Sequence, residues 1–169
     1  MPLEISEDLV SLAYQSLGYF VIEGRKAGRR EVDLLALRLG EDGEVAERLH
    51  IEIQVSVNPI GVLRDTPGLG RTAQHPEKSA RAWVRKKFRE PRVVEAVKQA
   101  FQGKEPRRVL VHGRLTNPKQ LDVIRATGVT CIEIGKLVNT ALKDGKPNRL
   151  HRAVEIAKLL TMEGTKEAT

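Results

Sequence analysis

A chain of 169 residues, 40% hydrophobic and 30% charged, can bury one sizeable core, and no apolar run approaches the ~20 residues that cross a bilayer. A single cysteine, Cys131, excludes an internal disulfide framework and any multi-cysteine zinc site; with an acidic start, MPLEISEDLV, unlike a signal peptide, it points to the cytoplasm and to no membrane partner. The formal charge of +7 suits a polyanion partner, while 4% aromatic residues argue against a base-stacking platform.

In chain order, Ser6 suits a helix N-cap, with Glu7 and Asp8 in a first turn where the helix dipole favours acids. Leu9, Leu12, Ala13, Ser16 and Leu17 recur at helical spacing until Gly18 stops them. Tyr19 to Glu23 read as a short strand, followed by a basic turn, Gly24 to Arg30, that carries Arg25, Lys26, Arg29 and Arg30. Val32 to Leu39 is apolar at nearly every position, the pattern of a central strand covered on both sides. Asp42-Gly43 suits a two-residue hairpin loop whose central residues both take positive φ. Beyond it Leu49, Ile51, Ile53, Val55 and Val57 alternate with His50, Glu52, Gln54 and Ser56, which predicts one buried and one polar face.

That loop fixes a register: Val32 faces Ile53, Leu34 faces Ile51 and Ala36 faces Leu49, while on the other side Asp33 lies opposite Glu52 and Glu31 opposite Gln54. Asn58-Pro59 ends the second strand. The stretch from there to Glu77 has no clear period; it carries Arg64, Arg71 and His75, and reads either as a substrate-contacting segment or as disorder without consequence.

Lys78 to Phe101 is a helical region restarted at Pro91, with Ala80, Trp83, Val84 and Phe88 as an apolar stripe and Lys78, Arg81 and Arg85 among its basic residues. Arg108 to His112 is a strand, and a helix capped at Thr116 or Asn117 runs to Ala126. Val129 to Ile134 is another strand, so that a parallel pair with a helical crossover follows. Helices over 136–142 and 149–162 complete a single domain, 1–162, with 163–169 as a frayed tail. Leu150, Val154, Ala157 and Leu160 form a stripe that packs either on the sheet or against a second copy.

Two apparent motifs lead nowhere. His50-Ile-Glu52 has the H-x-E spacing of zinc deaminases, but no P-C-x-x-C follows. Gly68-Leu-Gly70 lacks the GK[ST] ending of a phosphate loop. The remaining constellation is Glu7, Asp33 and Glu52-Ile-Gln54. Opposed like charges on one sheet face call for compensation, and oxygen-only ligands suit Mg²⁺ or Mn²⁺. Glu52 would hold the metal and Gln54, on the same face of the strand, would orient an attacking water.

With those residues the sequence resembles the PD-(D/E)XK, restriction-endonuclease-like nuclease superfamily. Glu7 ahead of Gly18-Tyr19 is similar to the helix glutamate of the Mrr-like and archaeal Holliday-junction-resolvase branches. Asp33 in Glu31-Val-Asp33 matches the second-strand aspartate, and Glu52-Ile-Gln54 matches E-x-K. The resemblance implies an α/β fold: a mixed sheet with a central antiparallel hairpin and added parallel strands, flanked by helices. It implies a metal-dependent endonuclease with catalytic residues Asp33, Glu52, Gln54 and Glu7, a cation held by Asp33, Glu52 and Glu7, and duplex or branched DNA as substrate. Arg25, Lys26, Arg29, Arg30, Arg64, Arg71, Lys78, Arg81 and Arg85 would contact that nucleic acid, and a homodimer would serve two strands. The sequence departs from the pattern twice: Glu31-Val32 replaces the signature proline, and Gln54 stands where lysine is usual. Lys78 or Lys26 would have to supply the missing charge. The alternative is a nuclease-fold nucleic-acid-binding or assembly protein whose chemistry was lost at Gln54.

Overall fold

Two hairpins in series begin the sheet, and a crossover adds the rest. In the computed structural model, which describes residues 2–55, 76–115 and 117–163, the chain runs α1 (Pro2–Ser16), β1 (Phe20–Ala27), β2 (Arg30–Leu39), β3 (Val45–Gln54), α2 (Pro76–Phe88) and α3 (Pro91–Ala100). It continues through β4 (Arg107–His112), α4 (Lys119–Ala126), β5 (Thr130–Glu133), α5 (Ile134–Asp144) and α6 (Arg149–Glu163). The strand order is β1-β2-β3-β4-β5; the first three strands are antiparallel, and β4 and β5 join parallel to β3. This is the mixed, helix-flanked α/β sheet that the alternation of hairpin and crossover signals predicts. Arg64, Arg71, His75, Thr116 and the tail beyond Glu163 lie outside the described residues.

Several local expectations are corrected. Ser6 is no N-cap: the helix starts at Pro2 and Ser6 is buried within it. β1 runs through the stretch expected to be a basic turn, so Arg25 and Lys26 are strand residues opposite Val32 and Glu31. The turn is Gly28-Arg29 alone, with Gly28 at φ +68°, the position where a two-residue loop of this kind needs glycine.

The second hairpin closes differently from the two-residue loop expected. Gly40 N–H donates to Glu44 O at 2.8 Å and Gly43 N–H to Gly40 O at 3.1 Å, and only Gly43 takes positive φ, +79°. Three residues therefore form the loop, and a bulge follows, because Leu39 pairs with Val45 but Arg38 with Glu47. The bulge restores the expected pairs Leu34–Ile51 and Ala36–Leu49. The ladder ends at Leu34 and Ile51, so the expected pairs Val32–Ile53, Asp33–Glu52 and Glu31–Gln54 do not form.

Helices cover both faces. On one, Val10, Ala13 and Tyr14 of α1, Leu137 and Ala141 of α5 and Leu150 of α6 pack on Leu34, Ala36, Leu49, Ile51, Val109 and Val111. Leu150 thus settles the start of the α6 stripe on the core; the side chains of Ala157 and Leu160 are not described. On the other face, Trp83, Val84 and Phe88 of α2 meet Leu121 and Ile124 of α4 over Leu110, while Val93 and Val97 of α3 and Phe101 just past it pack on Leu35. Glu90 caps α3 by accepting from Val93 N–H at 3.2 Å, which lets Pro91 occupy the first helical position. The polar face of β3 is buried at His50 and Glu52, because β3 is the middle strand and α2 lies over that side.

α1 and α5 are stitched at their ends. Ser16 Oγ lies 3.1 Å from Ala141 O and 2.9 Å from Lys146 O, and Lys146 N–H donates to Ser16 O at 2.7 Å. A Cβ on Gly145 would fall 2.0 Å from Ser16 Oγ and 2.4 Å from Ala141 O. Gly145→Ala is therefore expected to lower stability by about 1–3 kcal/mol through overpacking. A urea midpoint unchanged from wild type would contradict the close approach.

Candidate active site

Where β2 and β3 part, side chains take over from the ladder. Asp33 Oδ2 accepts the Ile53 N–H at 2.7 Å, using a carboxylate where a strand partner would have offered a carbonyl. Its Oδ1 lies 3.5 Å from Lys87 Nζ on α2. Glu52 is 1% exposed; its Oε2 lies 2.5 Å from the same Nζ, and its Oε1 lies 3.0 Å from His50 Nε2. Two carboxylates from neighbouring strands thus converge on one ammonium at the carboxyl ends of β3 and β4, where open α/β sheets commonly bind ligands.

Burial and like charge dominate the electrostatics. Burial, then the Glu52 carboxylate, push Asp33 up to about 6, against the pull of Lys87 and the Ile53 N–H. Glu52 is also raised, burial outweighing Lys87 and its hydrogen bonds. For Lys87, burial works against the charge, but Glu52 and Asp33 win and hold its pKa above the usual lysine value. Burial drives His50 down to about 3, so its imidazole is neutral. Its contact with Glu52 is therefore a hydrogen bond between neutral imidazole and carboxyl group, not an ion pair. Phe88 meets the His50 ring edge-to-face at 4.7 Å, so consecutive residues of α2 position both partners of Glu52.

Glu7 reaches the group through its field. Its pKa is raised by burial, then by Asp33 and Glu31, with Lys87 opposing. It does not close with Asp33 and Glu52 into a three-ligand set: among the described residues no group of three or more His, Cys, Asp or Glu side chains does. Gln54 is half-buried, and its side-chain amide donates to Ile53 O at 2.9 Å. Arg25 is half-buried on β1, and Lys26, Arg29 and Arg30 are exposed on the hairpin that leads into Asp33. Lys78, Arg81 and Arg85 are exposed on the side of α2 turned away from Lys87.

Sequence reasoning missed two members. Lys87 follows Ala80, Trp83 and Val84 at i+7, i+4 and i+3, so it lies within the apolar stripe of α2, and a lysine there is the signal. His50 was visible only as half of a motif set aside for want of cysteines.

The donor set fits a hard divalent cation. Both groups are carboxylates, they already hold one positive charge between them, and their two charges exceed the single charge of Lys87. Mg²⁺ is commonly held by one or two carboxylates, with water and substrate phosphate as its other ligands.

No family model matches the chain, and no curated protein does. Among solved structures the chain is similar to one described as a protein of unknown function, AF1548, with a TM-score of 0.48 and 12% identity over 87% of this chain and 73% of that one. Among the described residues no helix is long and apolar enough to cross a membrane.

Proposed function

We propose that the protein is a metal-dependent endonuclease of the PD-(D/E)XK type, acting on duplex or branched DNA. One observation carries the reading: Asp33 and Glu52, from adjacent strands of a mixed sheet, converge on a single cationic centre. Asp33 and Glu52 would hold Mg²⁺ or Mn²⁺, with Glu7 adding negative field. The cation would lower the pKa of a bound water and offset charge on the phosphodiester. Lys87 supplies the fixed positive charge that Gln54 does not, in place of the Lys78 or Lys26 suggested by sequence. Its raised pKa keeps it an ammonium at neutral pH, so it serves as a donor to phosphate oxygens and not as a base. His50 holds Glu52 in one orientation, and Gln54 would orient the attacking water. A single cysteine suits the reducing cytoplasm, and a homodimer would present two such sites to the two strands of a duplex.

The test is nicking of supercoiled plasmid with Mg²⁺ or Mn²⁺. Asp33→Ala is expected to lower the rate by about 10²-fold or more, the scale of losing one electrostatic contributor. An active Asp33→Ala protein would refute the site. The pairing of Lys87 with both carboxylates favours one alternative, a nuclease-fold protein whose own lysine has replaced the metal. That protein would bind DNA, cleave nothing, and take up no Mn²⁺ at millimolar concentration.

A further inference from the structure

The exposed residues Lys78, Arg81, Arg85 and Arg89 recur every three or four positions along α2 and share one side of it. Ala80, Trp83, Val84 and Lys87 face inward. The basic side borders a groove of about 410 Å³, with Ala82 and Val84 in its lining and Thr127, just past α4, across from the helix. Arg89 Nη2 donates to Thr127 O at 3.2 Å, which anchors one end. Among the described residues no acidic side chain lines the groove, and no carboxylate pairs with Lys78, Arg81 or Arg85. The larger cavity, about 940 Å³ between α1 and α6, is different: Asp8, Glu23 and Glu155 share its walls with Arg149 and Arg152. Like charges at this spacing destabilise a helix, and a polyanion would relieve the cost.

From Lys78 to Arg89 the stripe spans about 16 Å, roughly four or five nucleotides along one strand. It lies across the helix from Lys87, about 10 Å away by helix width. Lys78, Arg81 and Arg85, expected from sequence to contact nucleic acid, thus lie on the side of α2 away from Lys87. We propose that this groove binds a nucleic-acid phosphodiester backbone at a site distinct from the Asp33–Glu52 pair, holding a flanking or second segment instead of the scissile linkage. The groove needs no cleavage at the carboxylates to serve this role.

The experiment measures binding of the full chain to labelled duplex DNA and duplex RNA of equal length across a salt series. Arg81→Ala/Arg85→Ala is compared with Lys98→Ala/Lys104→Ala, which removes the same charge from exposed positions outside the groove. The first pair is expected to weaken binding about tenfold or more and to lower the slope of log affinity against log salt by about 2 for DNA, while the second changes affinity about threefold at most. The two duplexes show which backbone the groove prefers. Equal weakening by both variants, no weakening by the first, or no binding by wild type to either duplex would overturn the proposal. Hydrolysis of bis(p-nitrophenyl) phosphate, too small to reach the groove, separates the two sites. If no protein hydrolyses it while the groove variant alone loses binding, the nuclease reading fails and the groove stands.

Discussion

Replacing Lys87 with methionine is expected to cost about 3–5 kcal/mol of stability at pH 8, and far less at pH 5, in metal-free protein. Met keeps most of the buried stem and removes the charge. At pH 8 the substitution leaves Asp33 and Glu52 ionised, buried and facing each other without a counter-ion. Both acids already have raised pKa values, so at lower pH they take up protons and the repulsion fades. Urea titrations at the two pH values give the answer. A loss below about 1 kcal/mol at pH 8, or an equal loss at both values, would contradict the role assigned to Lys87.

The second large effect belongs to Asp33 itself. Its folded pKa of about 6 lies above the unfolded value, so the native state binds its proton more tightly. The resulting stability is fully present below the unfolded pKa near 4 and is lost as pH rises through 6. Two pH units correspond to a change on the order of 2–3 kcal/mol. Asp33→Asn keeps an oxygen to accept the Ile53 N–H and removes the titration. Relative to wild type, the metal-free variant should therefore gain stability between pH 4 and pH 7.5 by about that amount. A difference between the two proteins that is the same at both pH values would show that Asp33 does not titrate as described.

The sheet was legible in sequence because strand period and turn chemistry are local. The β2–β3 register is as expected from Leu34 to Ala36, but not beyond Leu34, through two offsets that cancel: the loop has one residue more than Asp42-Gly43 suggests, and the bulge after Val45 takes up the difference. A bulge leaves no compositional mark, so neither offset is visible beforehand. The alternation of β3 marks a polar face, but whether a strand face is wet depends on which helix returns over it, and that is a tertiary fact. The same return brings Lys87 to Glu52 from thirty-five residues away. The carboxylates could be found from strand pairing; their counter-ion could not, except as a lysine out of place in an apolar stripe. Glu7 was reachable only through the family pattern: it lies on α1, where the charges of Asp33 and Glu31 reach it, and among the described residues no group of three or more His, Cys, Asp or Glu side chains forms a metal site.

The heart of the matter is whether two buried acids beside a lysine can accept a divalent ion, and calorimetric titration of Mn²⁺ into the protein asks it directly. Saturable binding by wild type at micromolar to low millimolar concentration, abolished in Glu52→Gln, is the expected result. No binding by wild type, or undiminished binding by Glu52→Gln, would contradict it.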